Sequence, residues 1–233
     1  MGDRVAAVIP AAGVGSRLGT ATGTAEPKAL RLLGGRSLLQ WSVDPLSPLV
    51  DQLAVAVAPP YVVTTREMLS EARPTVTVMP GGSTRQDSVR VCLAQIDLDV
   101  SIVLVHDTAR PLVPPAVVQR VLAALRAGAE AVVPVVPVID SLRRTRRGAD
   151  DGSLDRDTVR AVQTPQGFQK DLLLRAHATA AGRDLPDDAS MVEQLGIAVT
   201  QVAGSELSFK VTRPLDLVLA EAVVAERTAA VQQ

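Results

Sequence analysis

The sequence predicts an α/β fold, a mostly parallel sheet with helices on both faces. Three observations carry that expectation. Short apolar runs alternate with stretches of helical length, as right-handed βαβ units require. Hydrophobic residues fill 47% of the 233 positions but aromatics only 2%. The core is therefore built from Val, Leu, Ile and Ala, a composition suited to parallel strands covered by helices. Finally, each polar cluster follows an apolar run at a strand's carboxyl end, where open sheets of this kind bind ligands.

Residues 5–9, Val-Ala-Ala-Val-Ile, are short and β-branched enough for a buried strand. Residues 53–58, 76–79, 102–105 and 131–136 are apolar runs of the same kind. Between them, residues 37–43, 62–72, 85–96 and 115–127 read as helical, and Thr84 is placed to cap the third. From 137 to 163 the rhythm breaks. The basic turn Arg143-Arg144-Thr145-Arg146-Arg147-Gly148 leads into Ala149-Asp150-Asp151-Gly152, without helical period. Its Gly and Asp content marks turns, so the segment reads as a long hairpin arm; a solvated loop is the alternative. After Thr164-Pro165-Gln166-Gly167-Phe168 come a helix over 171–180 and an acidic turn at Asp187-Asp188. A further helix, a strand near 197–202 and a terminal helix from Pro214 complete the chain. No repeat, linker or low-complexity tract divides it, so residues 1–233 are expected to form a single domain.

Composition excludes several classes of function. The 24 basic and 25 acidic residues nearly cancel, which argues against a sequence-independent nucleic-acid binder. The lone Cys92 rules out an intramolecular disulfide framework and reads as a small core residue. A first strand beginning by Arg4 or Val5 leaves no room for a cleavable leader. No apolar run reaches the roughly 18 residues needed to span a bilayer. A soluble, cytoplasmic protein without a membrane or nucleic-acid partner is the expectation.

Four clusters carry the chemistry. The first is Pro10-Ala11-Ala12-Gly13-Val14-Gly15-Ser16-Arg17-Leu18, a small-residue loop whose backbone N–H groups can approach a phosphate. Arg17, and Lys28 eleven residues later, flank that loop with two cations and suggest polyphosphate chemistry. The loop is not a full dinucleotide fingerprint, because the third glycine and the acidic residue after the second strand are missing. Nor does it contain a phosphate-binding Gly-Lys-Ser/Thr. The second cluster, Pro80-Gly81-Gly82-Ser83-Thr84-Arg85-Gln86-Asp87-Ser88, opens a helix; its backbone and the Ser88 hydroxyl could read a base edge, or it could be only a capped helix entry. The third is His106-Asp107-Thr108-Ala109-Arg110-Pro111, where Asp107 suits Mg²⁺ held mainly through phosphates, or a helix cap. His106 lacks a second histidine nearby and reads as a packing or hydrogen-bonding residue. The fourth joins Arg156 on the arm with Lys210 in Ser208-Phe209-Lys210-Val211-Thr212. A lysine facing a cleft from such a run needs an anionic partner; a strand edge in solvent is the alternative.

Together these motifs resemble the 2-C-methyl-D-erythritol 4-phosphate cytidylyltransferase family. The matching pieces are Pro10-Ala11-Ala12-Gly13-x-Gly15-x-Arg17, Pro27-Lys28, Gly81-Gly82 with Arg85-x-Asp87-Ser88-Val89, and His106-Asp107-x-Ala109-Arg110-Pro111. Asp155-Arg156, Gln163-Thr164-Pro165-Gln166, Asp188-Ala189-Ser190 and Lys210-Val211-Thr212-Arg213-Pro214 follow in family order. The resemblance implies a Rossmann-like nucleotidyltransferase fold and a homodimer joined through the arm, about 137–163. It implies the joining of CTP to methylerythritol 4-phosphate with release of pyrophosphate, in non-mevalonate isoprenoid synthesis, with Mg²⁺ as cofactor. By motif match Arg17, Lys28, Arg156 and Lys210 would be catalytic. Ala11, Ala12, Gly13, Gly15, Gly82, Arg85 and Ser88 would hold the nucleotide. Asp107, Arg110, Ser141, Arg156, Thr164 and Lys210 would bind the sugar phosphate, with Asp107 also on the metal.

The chain departs from the family pattern in places. The gap between Arg17 and Lys28 is longer than common, Ser83 stands where an acidic residue is frequent, and Thr108 where alanine is usual. Ser141 replaces a common threonine but keeps the hydroxyl. Pro186 occupies the place of a substrate-facing threonine, so that contact is lost or rerouted. These changes keep two alternatives alive: a cytidylyltransferase for another polyol phosphate, such as ribitol 5-phosphate, and a non-catalytic CTP-binding module. A nicotinamide-dependent oxidoreductase is disfavoured by the incomplete fingerprint.

Overall fold

A computed structural model describes residues 3–13, 27–146, 148–183 and 185–231. Its strands run β1 (Arg4–Ala11), β2 (Leu32–Leu33), β3 (Arg36–Ser37), β4 (Gln52–Val57), β5 (Val76–Pro80) and β6 (Val100–Val105). They continue as β7 (Ala131–Pro137), β8 (Leu142–Arg146), β9 (Ala149–Leu154), β10 (Arg160–Val162), β11 (Gln166–Gln169) and β12 (Thr200–Ala203). The α-helices are α1 (Leu38–Val43), α2 (Val62–Met68), α3 (Arg85–Leu93), α4 (Pro115–Arg126), α5 (Lys170–Thr179), α6 (Asp188–Glu193) and α7 (Pro214–Val231).

β1 is buried along almost its whole length and lies inside the sheet, parallel to β4 on one side and β6 on the other. Successive side chains point to opposite faces. Val5, Ala7 and Ile9 join one core with Leu39 and Val43 of α1 and Val118, Val121, Leu122 and Leu125 of α4. Ala6 and Val8 join the other, with Val89, Cys92 and Leu93 of α3, Leu172, Leu173 and Ala176 of α5, and Met191 and Val192 of α6. Helices therefore cover both faces, as expected. Cys92 is a fully buried core residue, and burial pushes its thiol up to about 12. Among the described residues no helix is long and apolar enough to cross a membrane.

The sheet order is β10-β7-β11-β6-β1-β4-β5, with β12 parallel to β7. The parallel half follows the sequence reading. The other half carries a feature that alternation alone does not predict: β11 inserts between β6 and β7 and is antiparallel to both. The chain re-enters from the arm without a covering helix, along β10, which is antiparallel to β7; without a crossover the returning strand runs the opposite way.

Of the segment 137–163 the hairpin is shorter than expected, spanning 142–154; Pro137 and Arg160–Val162 belong to the main sheet. Among the described residues its β8 and β9 pair only with each other, and every one of their residues is exposed or half-exposed. A bidentate Arg143–Asp150 pair ties the two strands.

The helix α7 closes a third cluster, in which Ala220 and Val224 meet Leu33, Leu38, Leu112 and Val211. Val211 is fully buried, and its N–H donates to the Ala109 carbonyl at 2.8 Å. That one contact fixes the segment carrying Lys210 beside the loop that follows β6.

Candidate active site

The carboxyl ends of β1, β5 and β6 open into one cleft. Its first lobe, about 240 Å³, is lined by Pro10 to Gly13, Lys28 and Ala29, Gly82 to Arg85, Ser88, Asp107 to Ala109, and Lys210. A second lobe of about 180 Å³ adds Arg110, Val162 to Thr164, Gln166, Pro186 and Asp187. Arg85, Asp107 and Lys210 line both. They form the joint between the lobes.

The floor of the first lobe is set by close approach of two loops. A Cβ on Gly81 would lie 2.3 Å from Ala12 Cβ and 2.9 Å from Ser88 Oγ, so only glycine lets the loop after β5 lie against the loop after β1. Thr84 caps α3 by accepting from Asp87 N–H at 2.9 Å. The expectation that Ser88 reads a base edge meets a hydroxyl already committed inside the loop. Its oxygen accepts Gly82 N–H at 3.2 Å, and it donates to the Thr84 carbonyl at 2.9 Å. Gly81 N–H is likewise taken, by the Val57 carbonyl. These groups give the lobe its shape. Gly81→Ala is expected to push Ala12 aside and lower kcat/KM for the nucleotide by up to about 10²-fold, the cost of a misplacement near 1 Å; an unchanged KM in steady-state kinetics would contradict this.

Asp107 does not cap a helix. Its Oδ1 accepts from Arg85 Nε at 3.0 Å and its Oδ2 from Lys210 Nζ at 2.8 Å. Burial alone would raise its pKa, but the Arg85 and Lys210 charges outweigh burial and hold the carboxyl far below the usual range. The anion that the Lys210 run calls for is thus Asp107. Arg85 also donates from Nη1 to Asp188 Oδ2 at 2.7 Å. Burial opposes its charge, yet Asp188 and Asp107 together raise its pKa above the ordinary arginine value.

Behind Asp107, its backbone N–H donates to Thr164 Oγ1 at 3.0 Å, and the same oxygen meets His106 Nδ1 at 3.0 Å. Arg110 clasps the second lobe from outside, donating to the Ser208 carbonyl at 2.7 Å and the Val162 carbonyl at 3.0 Å. His106 is fully buried, and burial pushes its imidazole down to about 4 from 6.5. Unfolded, this histidine protonates below about pH 6.5; folded, it resists until about pH 4. Its contribution to stability is therefore complete above pH 6.5 and drains as pH falls through that window, by about 3 kcal/mol at the acid end. His106→Asn, which keeps an acceptor near Nδ1 but does not titrate, is expected to flatten the melting temperature between pH 6.5 and 4. Parallel wild-type and variant curves over that range would refute the assignment.

The structure brings Ala11, Ala12, Gly13, Lys28, Gly82, Arg85, Ser88, Asp107 and Lys210 to one lobe, and Arg110 and Thr164 to the other. Arg156 and Ser141 do not join them. Both are exposed on the arm, and Arg156 donates to the Ile139 carbonyl at 2.7 Å. Gly15 and Arg17 lie outside the described residues. Sequence reasoning gave Gln166, Asp187, Asp188 and His177 no role at the site. Asp187 caps α6 through Ser190 N–H and accepts Gln166 Nε2 at 2.7 Å; the cap turns Asp188 inward, where it is fully buried. His177 shares the Leu172, Leu173 and Ala176 face of α5, which is its one signal in the sequence.

Among the described residues, three cations, Lys28, Arg85 and Lys210, and one ionised carboxylate, Asp107, surround a lobe floored by small residues, an arrangement that suits a polyphosphate. A Rossmann-like sheet carrying such a cleft at its strand ends defines a nucleotidyltransferase. A family model described as IspD, 2-C-methyl-D-erythritol 4-phosphate cytidylyltransferase, matches residues 5–226. The chain belongs to that family. The protein of that name from Streptomyces coelicolor is 50% identical, the alignment covering 96% of this chain and 86% of that protein. The one from Frankia casuarinae is 49% identical over 95% and 82%. The crystal structure of the Thermus thermophilus enzyme, 39% identical, superposes with a TM-score of 0.77 over 94% of this chain and 98% of that one.

Proposed function

We propose that this chain joins CTP to 2-C-methyl-D-erythritol 4-phosphate, giving 4-diphosphocytidyl-2-C-methyl-D-erythritol and pyrophosphate for isoprenoid precursor synthesis. One observation supports the reading most: a two-lobed cleft whose lobes share Arg85, Asp107 and Lys210, two cations and one carboxylate at the joint. A phosphate oxygen of the polyol phosphate attacks the α-phosphorus of CTP. A new P–O bond forms while the bond to the bridging oxygen breaks, and pyrophosphate carries that electron pair away. Such chemistry needs positioning and charge stabilisation rather than a covalent nucleophile.

The first lobe holds the nucleotide against Ala11, Ala12, Gly13 and the Gly82–Ser88 turn. Lys28, with Arg17, stabilises the charge gathering on the phosphates. Lys210, with Arg110 and Thr164 lining its lobe, receives the polyol phosphate. Mg²⁺ fits this donor set through Asp107, an ionised hard-oxygen ligand, with phosphate oxygens completing the shell; among the described residues no group of three acidic, histidine or cysteine ligands exists to cage a metal without them. When bound, the cation neutralises phosphate charge. CTP as substrate favours a cytoplasmic setting.

The arm supports a homodimer. A lone two-stranded hairpin is marginal in water, and β8–β9 pairs with no further strand among the described residues. A second copy is the partner that would hold it and receive Arg156 and Ser141 at its second lobe. Mixing Arg156→Ala with Lys28→Ala protein should then restore about a quarter of wild-type turnover, the random-exchange expectation for a two-fold dimer. No recovery on mixing would place Arg156 outside the partner's site.

The family match favours methylerythritol phosphate over the ribitol 5-phosphate alternative. Pyrophosphate release from CTP with each polyol phosphate in turn tests this. Turnover with methylerythritol phosphate is expected; activity confined to ribitol 5-phosphate, or CTP binding without release, would overturn it.

A further inference from the structure

Behind the cleft two buried polar residues extend the contacts of the joint, and no role assigned so far uses them. His177 on α5 and Asp188 on α6 are 4% and 0% exposed. His177 Nε2 meets Asp188 Oδ1 at 2.8 Å, and Asp188 Oδ2 accepts from Arg85 Nη1 at 2.7 Å. Arg85 Nε continues to Asp107 Oδ1, and Asp107 Oδ2 to Lys210 Nζ. We propose that Asp188 and His177 are positioning residues, which fix the Arg85 guanidinium and through it the Asp107–Lys210 pair that receives the polyol phosphate.

Guanidinium is a planar fork, and two of its donor directions here are tied to carboxylates on different elements, the end of β6 and the first turn of α6. With both ties the plane is set. With Asp107 as its single carboxylate partner it can rotate about that contact, and Asp107 then presents a different edge to Lys210. Asp188 can serve as the rear tie only while both of its oxygens are satisfied, since it is cut off from water. Arg85 supplies one partner and His177 the other. Burial opposes Asp188's charge, but Arg85 and then His177 keep its carboxyl below the ordinary range. A contact serving packing alone would end inside the core. This one ends on three groups that line both lobes.

The inference rests on Lys210 and Asp107 serving the polyol phosphate, so Lys210→Ala is the reference variant. Steady-state pyrophosphate release gives kcat and both KM values for wild type, Lys210→Ala, Asp188→Asn, His177→Leu and His177→Gln. Asp188→Asn and His177→Leu are expected to raise KM for methylerythritol phosphate roughly 10- to 100-fold, with a smaller rise in KM for CTP because Arg85 also borders the first lobe. His177→Gln, whose amide nitrogen donates from close to the imidazole Nε2 position, should restore most of it. A merely packing role would lower the melting temperature and the active fraction, hence kcat, with both KM values intact. That pattern overturns the proposal. Should His177→Leu not fold, the isosteric Asp188→Asn and the His177→Gln variant carry the comparison. If Lys210→Ala raises this KM while Asp188→Asn does not, only the positioning role falls; if Lys210→Ala itself leaves it unchanged, the substrate assignment falls and the proposal with it.

Discussion

Lys28→Ala is expected to lower turnover by about 10²–10³-fold, the loss seen when one preorganised donor to developing charge is removed. Lys28 is half-buried on the wall of the first lobe, at the start of a short 3₁₀ turn whose Ala29 and Leu30 are buried. That turn fixes the backbone from which the lysine reaches the lobe. Charge builds on the departing pyrophosphate only as the bond to the α-phosphorus stretches. The interaction is therefore stronger in the transition state than in the bound substrates, and the loss should fall on kcat more than on KM. Arg17→Ala is expected to behave alike, although Arg17 lies outside the described residues. Pyrophosphate release under saturating substrates is the measurement. A near-normal kcat would remove Lys28 from the mechanism.

Lys210→Ala is expected to have the second large effect, about 10²-fold in kcat/KM for the polyol phosphate, through positioning. Lys210 reaches the joint of the two lobes because Val211 anchors to Ala109, and its ammonium is held by Asp107. Removing it takes away a cation at the joint of the two lobes and leaves Asp107 with one counter-charge, Arg85, instead of two. Lys210→Arg should rescue poorly, since a planar fork cannot take the place of a compact point charge held on Oδ2. Rescue to the wild-type rate by arginine would mean that charge alone suffices there.

The parallel half of the fold was legible because its strands are continuous apolar runs and its helices keep a clear period. Thr84 as a cap and Cys92 as core followed from the same patterns. The inserted β11 and the short β10 were not. Runs of four and three residues carry too little periodicity to declare an element, and their direction is decided by where the arm returns. At the site, the clusters after β1, β5 and β6 were legible as separate loops. The Lys210 run announced that an anion was needed without saying which. Asp107 supplies it from 103 positions away, and Asp188 supplies the second anchor of Arg85 from the same separation. Arg85 read as a nucleotide contact because it opens a helix after two glycines; its two carboxylate partners come together only in the folded sheet. Ser88 read as a recognition hydroxyl because nothing local shows that the Thr84 carbonyl and Gly82 N–H already claim it.

The central claim is that one cleft holds two anions in two lobes joined at Arg85, Asp107 and Lys210. The most direct test is a crossed measurement of both KM values in Gly81→Ala and Lys210→Ala. If each lobe serves one substrate, Gly81→Ala raises KM for CTP and spares the polyol phosphate, while Lys210→Ala, at the joint, raises KM for the polyol phosphate well beyond its effect on CTP. If both variants move chiefly the same KM, or each moves both alike, the two-lobe account is wrong.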